Sequence, residues 1–257
     1  DKMGKIRLHQ FLSKCGVFES KRELKNAVWK GLVEVNGSQV RDISFEFNPL
    51  KRKVTFRGEK LFLPERESYF LLNKPPGFIC SRIGVNERKL GKKTVFDLFV
   101  GKIDDVTFNS LVTVGRLDED TTGFLLLTTD GKMVQKIANP VNNVSKTYLV
   151  RTEGRITESQ VSKIREGVFV SISDGRDSDN YVSKPSKIFL EDQCTAVLTI
   201  AEGKKREIRR IFQALGNFVE DLHRVAIGDM HLSEYGLDEG EYMEIPLQEI
   251  EEKIIAP

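Results

Sequence analysis

Histidine and cysteine are both scarce, three of each in 257 residues. Cys15, Cys80 and Cys194 are odd in number and far apart, which argues against a disulfide scaffold and fits a reducing compartment. None of His9, His223 and His231 stands beside a cysteine pair, so no zinc site and no other metal site is expected. Long apolar runs are missing too. The longest near the middle is Phe124-Leu125-Leu126-Leu127, far short of the roughly 20 residues that cross a bilayer, so no membrane association is expected. Lys2, Lys5, Arg7 and His9 break every apolar run near the start that could serve as a signal peptide. There is no G-x-S-x-G elbow and no G-x-G-x-x-G. Gly91-Lys92-Lys93-Thr94 lacks both the preceding glycine and the Lys-then-Ser/Thr order of a phosphate loop. These absences remove the common signatures of serine hydrolases, dinucleotide enzymes and nucleotide-driven enzymes, and no cofactor is expected.

What is present is charge, unevenly spread. Charged residues make up 30% of the chain and hydrophobic ones 39%, the balance of a folded protein rather than a disordered tail. Residues 1–60 hold 14 Lys/Arg against 7 Asp/Glu, while residues 230–257 hold one Lys against 8 acids. A basic N-terminal module suggests an anionic partner, most simply nucleic acid, although charge alone leaves a solvated face equally open.

Within that module Leu8, Phe11, Leu12 and Cys15 recur at helical spacing, and Gly16 is placed to end the helix. Ser20-Lys21-Arg22-Glu23 reads as a capping box opening a second helix, with Leu24, Ala27 and Val28 on its apolar face. Val33-Glu34-Val35 alternates as a strand, and Asn36-Gly37 is a two-residue hairpin turn. Arg7-Leu8, Phe11-Leu12, Ser20 to Glu23, Gly31 and Val35-Asn36-Gly37 together resemble the S4 RNA-binding module. Lys21, Arg22 and Lys25 crowd the first turn of the second helix, where free amides and the helix dipole favour a phosphate. Arg7 and Lys14 extend the same candidate RNA-binding face.

Residues 59–68, with Gly58 just before them, read as a linker between an RNA-binding domain over 1–58 and a single mixed domain over 69–257. In the second domain, strands are expected at Tyr69–Asn73, Val112–Val114, Phe124–Thr128, Lys146–Val150 and Ala196–Ile200. Helices are expected over about Lys132–Asn139 and from the stretch Glu202–Arg210 through Phe212 and Leu215 to Gly216. Asp118 sits on a glycine-bounded loop just before the buried strand Phe124–Thr128. Spacing alone leaves two readings: a positioned catalytic carboxylate, or a turn aspartate capping its own backbone. A metal site from Asp118, Glu119 and Asp120 is disfavoured, because adjacent side chains on an extended stretch point to opposite faces.

Three blocks bear on that choice. Leu71-Leu72-Asn73-Lys74-Pro75-Pro76-Gly77, then Gly115-Arg116-Leu117-Asp118 through Thr121-Thr122-Gly123 to Thr128, then Glu202-Gly203 through Arg210 resemble, in order, the motifs of pseudouridine synthases. With the S4-like module in front, the resemblance is to the RsuA type, which acts on ribosomal RNA, and it extends over Leu222-His223-Arg224 and Ile227-Gly228. Phe124 stands where Leu is usual and Glu207 where Gln is more usual. The resemblance implies an α+β protein: a small helix-helix-hairpin domain, then a mixed, mainly antiparallel sheet with flanking helices and a central cleft. It implies isomerisation of uridine to pseudouridine on a flipped-out base, with Asp118 as the catalytic carboxylate. Arg209 is its expected bidentate partner, and Tyr148 the ring that stacks on the uracil. Lys74 and Lys146 are expected at the cleft rim, and Arg116 and Thr121 to shape the catalytic loop. Arg206 and Arg210 are expected on the RNA backbone, and Leu222 under the base. The expected partner is ribosomal RNA or a ribosome-assembly particle, the expected state a monomer without nucleotide cofactor, and the expected compartment the cytoplasm. Because the chain starts at Asp1, an organellar stroma or matrix, reached by an upstream transit peptide, is the alternative. The rival reading is a non-catalytic ribosome-assembly factor that only binds RNA.

Overall fold

The computed structural model describes residues 4–172 and 179–257. The N-terminal unit opens with helix α1, Leu8–Cys15, which buries Leu8, Phe11, Leu12 and Cys15. Gly16 ends it in the left-handed conformation at φ 70°. A Cβ there would lie 1.8 Å from the Asn109 carbonyl oxygen, so only glycine lets this unit sit against the following domain. Helix α2, Lys21–Trp29, is capped by Ser20, whose Oγ accepts from the Glu23 amide at 3.1 Å. The return half of the expected capping box is shifted by one residue: Glu23 accepts from the Glu19 amide at 2.7 Å. Strands β1 (Val33–Val35), β2 (Ser38–Gln39), β3 (Val54–Phe56) and β4 (Glu59–Lys60) form a sheet in the order β2-β1-β3-β4. Asn36 and Gly37, at φ 51° and 80°, make the expected tight turn.

This sheet runs past the boundary expected at residue 58. Glu59–Lys60 pairs with β3, and Leu61 and Leu63 pack on the core around Leu12, Val28 and Phe47. The other end of the expected linker is also ordered, since Ser68 is bonded through its backbone to the hydroxyls of Thr128 and Thr129. The mixed charges that make this stretch look like a loop include Glu59 and Lys60, both exposed on a two-residue edge strand.

The larger domain is built on β5 (Tyr69–Lys74), β6 (Thr122–Thr128), β7 (Lys146–Thr152), β8 (Lys187–Leu190), β9 (Thr195–Ile200), β10 (Val219–Ile227) and β11 (Tyr242–Glu244). Their order in space is β8-β9-β7-β10-β6-β5-β11, with two short strands appended to β6 and β10. Within this sheet, among the described residues, the pairings are antiparallel except β6 with β10, which run parallel through Thr122 opposite His223 and Gly123 opposite Arg224. Both faces of the central strands are covered. Phe70, Leu72, Leu125 and Leu127 join one core, and Tyr69, Leu71, Phe124 and Leu126 the other. Burial on both sides explains why β5 and β6 read as unbroken apolar runs rather than alternating ones.

Around the sheet lie helices α3 (Asp105–Ser110), α4 (Gly131–Ala138), α5 (Glu158–Glu166) and α6 (Glu207–Ala214). Asp130 caps α4 with its side chain on the amides of Lys132 and Met133. Thr157 and Gln160 close a full capping box on α5. Among the described residues no helix is long and apolar enough to cross a membrane, and no group of three His, Cys, Asp or Glu is placed to hold a metal ion.

Candidate active site

The loop from Gly115 to Thr121 carries Asp118, and the structure fixes it from below. Lys74, at the end of β5, is 0% exposed. Its Nζ donates to the carbonyls of Thr121 at 2.7 Å, Pro75 at 3.0 Å and Glu119 at 3.1 Å. Burial pulls the Lys74 ammonium below its usual range, opposed by nearby Cys80 and by the side chains of Asp120, Glu119 and Asp118. The Gly77 amide donates to the Glu119 carbonyl at 2.7 Å and the Leu117 amide to Cys80 Sγ at 3.4 Å. Lys74 is therefore buried under the loop and not at the cleft rim, where the resemblance put it. All three of its donors are spent on backbone carbonyls, two of them in the loop, which makes it the strut under the aspartate.

Above this loop lies a cavity of about 370 Å³, within the range that holds a small ligand. Asp118, Arg116, Thr121, Lys146, Tyr148, Arg206, Leu222 and Arg224 line it. Tyr148 is 8% exposed and sits on β7 opposite Leu198 of β9 and Arg224 of β10. The β7–β10 register slips between Thr147 and Tyr148, an irregularity of the kind that re-aims a side chain beside a site. Lys146, two residues earlier, makes only a long 3.5 Å contact to the Val144 carbonyl. Burial and nearby Arg224 pull its ammonium down, with Glu207 opposing.

The partner of Asp118 differs from the one expected. Arg206 Nη1 donates to Asp118 Oδ2 at 3.3 Å and lies 3.7 Å from Asp120 Oδ1. Arg209 instead places Nη2 3.2 Å from Asp120 Oδ2 and donates through Nη1 to the Val219 carbonyl at 3.3 Å. The cause is local. Arg206 is the residue before α6 and adopts a left-handed conformation at φ 53°, which turns it out of the helix and over the loop. Arg209, inside the first turn, is held against β10. Arg206 is thus part of the aspartate's surroundings rather than a contact reserved for RNA backbone, and Arg210 does not line the cavity.

Two residues outside the expected set complete the floor. Arg224 is 2% exposed; its Nε donates to the Phe124 carbonyl at 2.8 Å, and its buried Nη2 has no partner among the described residues. Glu207 lines the cavity from the start of α6. The signals were present in sequence, as the alternation of Leu222-His223-Arg224 and the Glu in place of Gln. Gly123 has a role that its motif only hints at: a Cβ there would stand 2.3 Å from the Arg224 carbonyl oxygen. The parallel seam beneath the site therefore requires glycine.

The N-terminal candidates divide. Lys21, Arg22 and Lys25 are exposed on the first turns of α2. Arg7 is paired with Glu46 at 3.4 Å, and Lys14 with Glu67. Lys14 thus ties α1 to the start of the larger domain instead of extending a free basic face.

Comparison with known proteins agrees with this geometry. Residues 68–214 match the family described as RNA pseudouridylate synthase. Ribosomal small subunit pseudouridine synthase A of Haemophilus influenzae is 33% identical over 97% of this chain and 100% of its own length. The protein of that name from Escherichia coli is also 33% identical, over 85% of this chain and 87% of its own. A crystal structure of a pseudouridylate synthase superposes with a TM-score of 0.66 at 33% identity, covering 96% of this chain and 99% of that one. The chain belongs to the RNA pseudouridylate synthase family, and its class of chemistry is isomerisation.

Proposed function

We propose that this protein isomerises uridine to pseudouridine at a defined site in ribosomal RNA. The observation that carries the reading is the carboxylate of Asp118, clamped from below by Lys74 and faced by Arg206, on a cavity walled by Tyr148 and Leu222. The reaction breaks N1–C1′, turns the base and joins C5 to C1′, while C5 gives up its proton and N1 gains one. Atoms and electrons are conserved, so no redox partner, phosphoryl donor or nucleotide cofactor enters.

Each group has a task in that sequence. A base taken out of its helix stacks on the Tyr148 ring and rests on Leu222. Asp118, faced by the Arg206 guanidinium, supplies the carboxylate that works at the ribose and the base. The free donors of Lys146 and Arg224 suit the two uracil oxygens as the base detaches. Arg116 and Arg210 lie where the flanking phosphates approach. The N-terminal unit acts as an S4-type RNA-binding domain, with Lys21, Arg22 and Lys25 supplying phosphate contacts. The protein works as a monomer in the cytoplasm. Names of relatives favour small-subunit RNA as substrate.

Tritium release from C5-labelled uridine is the test, run on small-subunit transcripts, large-subunit transcripts and assembly particles. Release without chain cleavage from one of these is expected. Absence of release from all three, with RNA still bound, would leave the rival reading of a binding factor.

A further inference from the structure

Helix α2 ends on Trp29, the single tryptophan of the chain. Its side chain is 58% exposed. Leu24, Ala27 and Val28 turn the apolar face of α2 inward, and Trp29 lies on the solvent side. Lys21, Lys25 and Trp29 follow one another at intervals of four residues, with Arg22 in the same stripe seven residues before the indole. Side chains spaced by four share a face and stand about 6 Å apart along the axis. The stripe continues past the helix end. Lys30 is exposed there, and Arg41 folds over the turn, since a Cβ on Gly31 would stand 3.1 Å from Arg41 Nη2.

Single exposed apolar side chains are ordinary; this one differs in its surroundings. The salt bridges at the start of the chain use Arg7 and Lys14, whereas Lys21, Arg22, Lys25, Lys30 and Arg41 enter none among the described residues. Other rings of the N-terminal unit are covered by cations. Arg52 lies over Phe45, Arg57 over Phe56, and Lys60 Nζ is 4.7 Å from the ring centre of Phe62, which is itself 53% exposed. Trp29 carries the ring best suited to a cation, yet among the described residues no cation and no second ring lies over it. A bare indole face ringed by unneutralised cations fits a ligand that is anionic along its backbone and flat at its side group. An unpaired nucleotide is such a ligand. A duplex offers the same phosphates but keeps its bases stacked on one another.

We propose that Trp29 is a stacking platform for one unpaired base of the RNA, with the flanking phosphates held by Lys21, Arg22 and Lys25 on one side and by Lys30 and Arg41 on the other. This rests on the reading of the N-terminal unit as an RNA-binding domain and deepens it: the unit takes single-stranded RNA on this face, not duplex backbone alone. The base is distinct from the uridine in the cavity, whose stacking ring is Tyr148. Every base has a π-face, so the platform supplies affinity and register rather than a choice of base.

The sole tryptophan makes the experiment direct, because indole emission of the full chain reports on this face alone. The probes are a single-stranded oligoadenylate and a fully paired RNA hairpin of equal length, each end-labelled so that anisotropy measures binding independently of the indole. Oligoadenylate should quench the emission, and the hairpin should bind and leave it nearly unchanged. Trp29→Ala should weaken oligoadenylate binding about tenfold, the scale of one stacked base. Its log–log salt slope should stay that of wild type, since no phosphate contact is lost. Trp29→Phe should regain most of the affinity, and it carries the test if alanine frays the helix end. Binding of both probes without quenching, equal quenching by the hairpin, or unchanged oligoadenylate affinity in Trp29→Ala overturns the stacking and leaves the RNA-binding reading standing. Binding of neither probe overturns both. Emission that responds to ribosomal proteins and to neither RNA assigns the face to a protein partner and overturns the proposal as well.

Discussion

Two arms meet over the cavity, and they are held by different physics. The lower arm, Gly115–Thr121, is wired through main-chain carbonyls to the fully buried ammonium of Lys74 and to the amide of Gly77. The upper arm, Glu202–Arg206, is held by side-chain charge: Arg206 on Asp118 and Asp120, and Lys204 on Glu202. Backbone bonds around a buried cation are indifferent to salt and to moderate pH, whereas partly exposed ion pairs are sensitive to both. The comparison assigns a fixed reference to the arm that bears the carboxylate and an adjustable one to the arm that covers it.

The sharpest break comes at the point where the arms touch. Asp118→Asn keeps shape but removes the carboxylate, and turnover should fall by roughly 10⁴-fold or more with RNA affinity retained, as losses of essential catalytic groups do. Single-turnover tritium release together with a binding titration checks it. The lower arm comes next. Lys74→Met fills the space but takes the ammonium from the Pro75, Glu119 and Thr121 carbonyls, of which Glu119 keeps the Gly77 amide, and should cost about 3 kcal/mol in urea unfolding; a loss under 1 kcal/mol would deny Lys74 its place as strut. Arg206→Gly acts on the upper arm alone. Glycine relieves the left-handed backbone, so stability should stay within about 1 kcal/mol of wild type. Removing the guanidinium should lower single-turnover rate by roughly 10²-fold, the scale of one electrostatic contact to a reacting group. The same loss from Arg209→Leu and not from Arg206→Gly would restore the pairing expected from sequence. The smallest effect lies away from both arms. Replacing Lys21, Arg22 and Lys25 with alanine should leave saturated turnover unchanged and make the salt dependence of RNA affinity shallower by about 2 in log–log slope.

Much of this was legible before the fold. Helical spacing placed α1 and its glycine stop. Ser20 announced α2, and the apolar runs gave β5 and β6. Three short blocks led to Asp118 and the basic stretch before α6, and the family resemblance they carry led to Tyr148. What stayed hidden depended on contacts that spacing does not encode. The resemblance put Lys74 at the rim, yet its environment is made by carbonyls some 45 residues away. The choice between Arg206 and Arg209 turns on a single backbone conformation at the start of α6. Strand β10 carries Glu220, Asp221 and Arg224, too polar to read as the centre of a sheet, although Arg224 is buried there.

The parallel seam between β6 and β10 has a bearing on the order in which the chain folds. Strands β7 to β10 are contiguous in sequence and pair with one another through antiparallel ladders. The seam joins Thr122 to His223, 101 residues apart. Loop length separates the two little, since Tyr148 and Arg224 in the β7–β10 ladder are themselves 76 residues apart; the seam differs in having two register pairs where that ladder has seven, and in lacking a hairpin such as β8–β9 to grow from. The β7–β10 block should therefore acquire structure first, and the seam should close late in refolding. Asp118 and Arg206 stand on opposite sides of it, so catalytic competence arrives with the last closure. Pulse-labelled hydrogen exchange during refolding should show the amides of Gly123 and Arg224 gaining protection after those of Leu149 and Val197.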